Sequence, residues 1–569
     1  MESESRPAST NDDYGRTSMI RCASVCLRPW QVDDRRVNLE RRSYRLTSNL
    51  SRRELDSKES YDSELVSKSG PEASIDTAVF FGSSGLLLII TAGFMMRPES
   101  SSLLLDELYV FVTSRIGGVY ICAAIFTLGF LFWLACSAYG SMVLGGTNKP
   151  HYSTLKWASM LFCSGIGGSL IYWGGTEWVF YYVDPPFGLP PLSDESLEWA
   201  QAYGLFHWGP IGWSFYCLPA IALGCSYYLE GSSNFRLSEA CRPILKEFTT
   251  RWPGRVVDLS FLFGVIASSA TGLGFGIAIV SAATSELTQV ADSLFLQICV
   301  IVLATVLITF SVYRGLERGI LVLSTVNVFL ALLFIGSVFL LGPSKFILEM
   351  GLVTLGTFAG EFFEMLTWSD PRERNDFVES WTVFYWAWWI ALGPFMGIFV
   401  ARVSEGRTIR QIIVGVLAYG SAGCALFFIV LGNFSLSLQL DGTYDLVEKV
   451  GEGISPAVIM SEVISFLPYP KVWLAYLAVI GLIFTATTYD SASYVLASGS
   501  SKSFGESRQP ARWLRVFWAL GLGTLPLTLL YVGGLRELQT ASLVGSLPIM
   551  LLYILMAISI VRTLRKFHE

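Results

Sequence analysis

Several stretches of this chain run for 20 residues or more almost without charge, and about 20 apolar residues suffice for a helix to cross a bilayer. Hydrocarbon offers no water to a backbone N–H or C=O, so such stretches must satisfy their own hydrogen bonds, which selects helices. Charged residues make up 15% of the 569, whereas a soluble domain carries about a quarter. The mean hydropathy is +0.50. The expected fold is therefore an all-α polytopic membrane protein, one domain behind a polar tail.

Twelve candidate transmembrane helices can be marked, at 77–96, 116–140, 155–182, 202–229, 258–286, 293–313, 320–342, 381–402, 410–432, 471–498, 512–533 and 539–562. Two half-apolar segments, 344–365 and 455–468, suit the membrane surface. Residues 1–75 are rich in Ser, Arg, Asp and Glu and show no cleavable signal pattern, which predicts a disordered cytosolic tail. The twelve-helix membrane domain is expected over 76–562, and 563–569 as a short cytosolic tail.

Alternate loops carry the basic residues: Arg236 to Arg255, Arg402 to Arg410, and Lys502 to Arg515. The loops between them, such as "DPPFGLPPLSDESLEWA" and "TSELTQVADS", have no Lys or Arg. This alternation predicts both termini on the cytoplasmic side. The loop with Arg372 and Arg374 is the exception. The ten cysteines are scattered with no CxxC, so neither a zinc site nor a disulfide framework is indicated. Only three His occur, only His207 within a span, and no nucleophile–base constellation is visible, which argues against an enzyme. Nothing points to nucleic acid.

Three segments carry chemistry. "WTVFYWAWWIALGPF" (381–395) places Trp381, Trp386, Trp388 and Trp389 within nine positions. "FHWGPIGWSFY" contributes Trp208, Trp213 and Tyr216, which fall within an arc of roughly 140° on an ideal helix. Aromatic belts gather at membrane interfaces, but mid-span Trp213 and Tyr216 fit that poorly. Ring faces can instead hold a quaternary ammonium group, which has no N–H to bond, at about 0.5–2 kcal/mol per face. "CSGIGGSLIYWGGTEW" combines Gly165, Gly167, Gly168, Gly174 and Gly175 with Glu177. Glycines in a span mark a break lining a cavity or close helix packing, and an intramembrane carboxylate is a functional candidate. "FTATTYDSAS" (484–493) sets hydroxyls in an apolar span, equally suited to a small hard cation and to helix–helix contact.

Together these segments resemble the betaine/carnitine/choline transporter family over roughly 76–562, most specifically in "WTVFYWAWWIALGPFMGIFVARVSEGRTIRQ". The resemblance implies a five-plus-five inverted-repeat core of the leucine-transporter type, with repeats at about 155–342 and 381–562. It implies a secondary active transporter of quaternary ammonium osmolytes working by alternating access, with the substrate between the repeats. Its aromatic box falls on Trp208, Trp213, Tyr216 and Trp389, with Trp386 and Phe395 lining the path. Its principal sodium site falls on Cys163, Ile166, Phe484, Thr487 and Thr488, and a second on Thr271 and Phe395. Leu392 stands where members commonly carry Trp, and Trp178 where they carry Pro after Glu177.

The expected function is sodium-coupled glycine betaine symport, sodium being the coupling ion and no cofactor being required. Choline, carnitine or dimethylsulfoniopropionate would fit the same cage. A sodium-independent exchanger and a non-transporting membrane sensor are the competing readings. The expected setting is the plasma membrane, with a homotrimer implied by resemblance alone.

Overall fold

The computed structural model describes residues 74–568 except 146–148, 166, 233, 315, 316, 373, 504–509 and 533. The side chains of 311–325, 503 and 535 also lie outside the description. So do the expected tail over 1–73 and the candidate ligand Ile166.

The described residues are helical almost throughout. The only sheet structure among them is two short ladders, Ser74–Ile75 with Ser501–Ser503 and Val143–Leu144 with Arg407–Thr408. Among the described residues, eight helices are long and apolar enough to cross a membrane, or nine if one bent pair counts as a single span. Labelled with the other helices used below, the elements are α1 Thr77–Met96, α2 Pro98–Cys136, α3 Thr154–Ser164, α4 Gly168–Gly174, α5 Glu177–Val183, α6 Asp194–His207, α7 Pro210–Gly224 and α8 Trp252–Thr288. They continue as α9 Leu294–Arg314, α10 Glu317–Leu341, α11 Ser344–Gly360, α12 Val378–Val403, α13 Ile409–Leu440, α14 Pro456–Ser465, α15 Pro470–Gly499, α16 Arg512–Val532 and α17 Arg536–His568. The last helix runs to His568, so residues 563–568 continue it.

The departures from twelve uninterrupted spans have local causes. The segment 155–182 becomes three short helices, broken at the glycines after Ser164 and again at Gly175–Thr176. The segment 202–229 breaks at Trp208–Gly209, where Pro210 starts α7. A Cβ on Gly209 would lie 2.3 Å from the Leu205 carbonyl oxygen, so only glycine closes this turn. The bent pair is α10 with α11, which meet at 109°.

Burial sorts the layers. The most apolar windows of α8 and α12 are 83% and 78% buried, whereas that of α1 is 28%. The first two are the inner helices. Helix α1 shows Phe81, Leu88 and Ile89 to the surroundings, as expected where lipid is the solvent. Helix α8 packs along α15 and α17, and α7 along α12. Small residues bring backbones together: Gly264 of α8 faces Gly545 of α17. Helix α13 contains two π-turns, Val416–Gly420 and Phe428–Gly432, and α12 begins with another, Val378–Val383. Each widened turn displaces side chains by one position, and such turns concentrate at functional sites.

Candidate functional site

The broken segment 202–229 and helix α12 meet ring to ring. Tyr216 and Trp389 have centroids 4.6 Å apart, Trp213 lies 5.4 Å from Tyr216 and 5.8 Å from Trp389, and Trp208 lies 6.1 Å from Trp389. All four are at least nine-tenths buried. The structure thus gathers the four residues of the expected box. The ideal-helix arc does not explain this, because Trp208 precedes the break and Trp213 follows it. The common neighbour Trp389 unites them.

Each ring is held by a specific device. Trp389 donates its indole N–H to the His207 carbonyl at 3.0 Å, a group left open by the break. Its face lies on bare backbone at Gly212, where an added Cβ would come within 2.4 Å of the ring. Trp213 lies over Gly420, the last residue of a π-turn, where a Cβ would meet the ring at 2.3 Å. Gly165, at the α3 break, approaches the same indole. Centroids this close leave no room for a trimethylammonium group between the faces of Tyr216 and Trp389. A ligand would have to part these two rings or sit across their outer edges.

Other expected residues fall differently. Trp386 is buried against Phe206, His207 and Phe215 and shares no ring contact with Trp389. Phe395 is half-buried. Trp388 does not turn away from the cluster: it packs edge-on to Trp208 at 5.7 Å and against Phe275, and donates to the Ser268 carbonyl at 3.2 Å.

Of the cation candidates, Cys163 ends α3 near the break, and Phe484 of α15 approaches Gly168 at the start of α4. Thr487 donates back to its own helix, to Ile483 or Phe484 carbonyls at 2.9 and 3.1 Å. Thr488 is half-buried and makes no hydrogen bond among the described residues. The oxygens are of the right kind for a small hard cation, and the Thr487 hydroxyl keeps its lone pairs free while it donates. Thr271 is engaged elsewhere, with the Leu538 carbonyl at 2.5 Å and Ser542 hydroxyl at 2.8 Å of α17.

Two features escaped sequence reasoning. Asn327 of α10, with its amide turned to suit both neighbours, donates to the Ile480 carbonyl at 3.3 Å and accepts from Phe484 N–H at 3.2 Å. A lone Asn in an apolar span was the available signal. The other is a polar knot at Glu177, which accepts from Tyr181 at 2.6 Å, from Trp208 Nε1 at 3.1 Å and from Tyr385. The spacing of Glu177 and Tyr181, one helical turn, hinted at it. Trp178 donates to the Ser435 hydroxyl at 2.9 Å and anchors α5 to α13.

Residues 78–569 match the model of BCCT, the betaine/carnitine/choline family transporters. A carnitine transporter of Acinetobacter baumannii is 30% identical over 86% of this chain and 89% of its own. The high-affinity choline transport protein of Escherichia coli K12 is 32% identical over 85% and 71%. The glycine betaine transporter OpuD of Bacillus subtilis is 29% identical over 84% and 94%.

Proposed function

We propose that this chain, which belongs to the betaine/carnitine/choline transporter family, carries a quaternary ammonium osmolyte, glycine betaine first, across the plasma membrane in symport with sodium. The observation that carries the reading is the buried contact of Trp213, Tyr216 and Trp389, three ring faces from two inner elements. Relatives named for carnitine, choline and glycine betaine support the substrate class, and choline, carnitine and dimethylsulfoniopropionate remain within it.

The proposal includes twelve crossings. The eight continuous helices would be joined by the bent pair, by α9 and by the two broken segments. These would form a five-plus-five inverted repeat over about 155–342 and 381–562, with cytoplasmic termini and a trimeric assembly. Breaks in α3–α4 and α6–α7 support it, since discontinuous helices expose carbonyls and N–H groups to substrate and ion.

The test is uptake by proteoliposomes of labelled glycine betaine, choline and carnitine, each with sodium or potassium outside. Sodium-dependent uptake is expected. Uptake without sodium would favour an exchanger, and no uptake at all a sensor. In the same assay trimethylated compounds should compete, while glycine and ethanolamine should not, because a ring cage cannot replace their N–H hydration. Inhibition by glycine at concentrations close to those of betaine would defeat the ring-cage reading.

The ion site makes a second expectation. Thr487→Val with Thr488→Ala should raise the sodium concentration for half-maximal uptake on the order of tenfold, through linkage between ion and substrate. Each single substitution should give a smaller shift than the pair, since both hydroxyls have lone pairs to offer a cation. An unchanged sodium titration in the double variant would place the ion elsewhere.

A further inference from the structure

Glu177 is fully buried, and among the described residues no Arg or Lys pairs with it. Its partners are donors from three elements: Tyr181 on its own helix α5, Trp208 at the end of α6, and Tyr385 on α12. Behind them, the Tyr181 hydroxyl meets His207 Nδ1 at 2.9 Å, and His207 Nε2 meets the Thr382 hydroxyl at 3.1 Å. The imidazole stacks on the Tyr385 ring at 4.8 Å. Most buried carboxylates are matched by a cation or replaced by a neutral group, because burying a charge alone is expensive. This one is supplied with hydrogen bonds but with no cation, so its charge develops fully only when a cation, here the ammonium end of a substrate, comes to rest nearby.

The acceptor of the Trp208 N–H is therefore a carboxylate on the far edge of an indole that belongs to the ring cluster. Trp208 lies 6.1 Å from Trp389 and 5.5 Å from Phe428. A carboxylate accepting from an indole N–H pushes electron density into the ring, which makes its face more attractive to a cation. It also adds its own field, barely screened in so dry a setting. Neither effect acts on an uncharged ligand of the same shape.

We infer that Glu177 is a specificity-determining residue, acting through Trp208, that supplies the negative charge against which the ammonium end of the substrate is held. The inference rests on the ring cluster being the substrate site. It explains why the charge is placed behind the ring instead of in contact with the ligand. A direct carboxylate would attract hydrated amines through hydrogen bonds, whereas one shielded by an indole favours charge without offering an acceptor.

The test uses two competitors of labelled glycine betaine uptake. Choline is one, and 3,3-dimethyl-1-butanol is the other, with the same outline and carbon in place of the charged nitrogen. Glu177→Gln should raise the inhibition constant of choline about tenfold, as loss of one nearby charge in a low-dielectric site implies. The constant for the neutral alcohol should not move. Glu177→Asp, which keeps the charge, should restore most of the preference. Trp208→Phe, which removes the N–H and leaves a ring, should weaken choline relative to the alcohol. Combined with Glu177→Gln it should lower that preference little further, as expected of coupled groups. If Glu177→Gln fails to reach the membrane, the Trp208→Phe ratio decides. A parallel change in both constants would make the role purely structural and overturn the inference. So would no change in either while Trp389→Leu still weakens choline. If Trp389→Leu also leaves choline binding intact, the ring-cluster reading itself fails, and the inference with it.

Discussion

Trp389→Leu is expected to bring uptake close to background while the protein still inserts and purifies as the wild type does. Trp389 is the one ring that touches Trp208, Trp213 and Tyr216 alike. Losing one desolvated cation–π face costs about 1–2 kcal/mol, roughly five- to thirty-fold in affinity. The substitution also leaves the His207 carbonyl without its donor and opens space over Gly212. Trp388→Leu is a poor control for this experiment, because Trp388 packs directly on Trp208 and would loosen it. Trp133 on α2, 46% exposed, is the better comparison, and its replacement by Leu should leave the affinity unchanged. Equal losses in the two variants, read as KM in proteoliposomes, would count against the ring assignment.

Gly212→Val should damage transport about as severely without touching any aromatic residue. The first added carbon would sit 2.4 to 2.8 Å from three atoms of the Trp389 indole. A fused ring cannot bend out of the way, so either Trp389 leaves its rotamer or α7 parts from α12. Overpacking of this kind costs about 1–3 kcal/mol. The expected readout is a lower thermal midpoint together with a KM raised on the order of tenfold, because ring placement and helix packing are the same contact. Gly118 of α2, where a Cβ would meet nothing within 4 Å, is the matched control. Wild-type KM in Gly212→Val would show that Trp389 need not lie where the structure places it.

The aromatic site was legible in part. Trp389, Trp213 and Tyr216 stood out because tryptophan in mid-span has no use as an interfacial anchor. Trp386 and Trp389 are three apart on α12, and both meet the segment 202–229. Their ring partners differ: Trp386 meets Phe206, His207 and Phe215, whereas Trp389 meets Trp208, Trp213 and Tyr216. Periodicity gives direction around a helix but not which neighbour waits there. The paired threonines illustrate the same gap: adjacent in sequence, one hydroxyl bonds back to its own helix and the other does not.

The sequence by itself determined that this chain lives in a bilayer as helices, because low charge and long apolar runs leave the backbone no other way to satisfy its hydrogen bonds. Its linked motifs also determined the family, which the match over residues 78–569 bears out. Only the tertiary structure decided that a carboxylate one helical turn from a tyrosine would be sealed behind Trp208 and Tyr385. It alone decided that two expected spans would break, one of them where a proline follows a glycine that has no room for a side chain. Long-range contacts carry both decisions: Glu177 and Tyr385 are 208 residues apart. No local pattern encodes which distant donor a buried oxygen will find, since that follows from the close packing of whole helices.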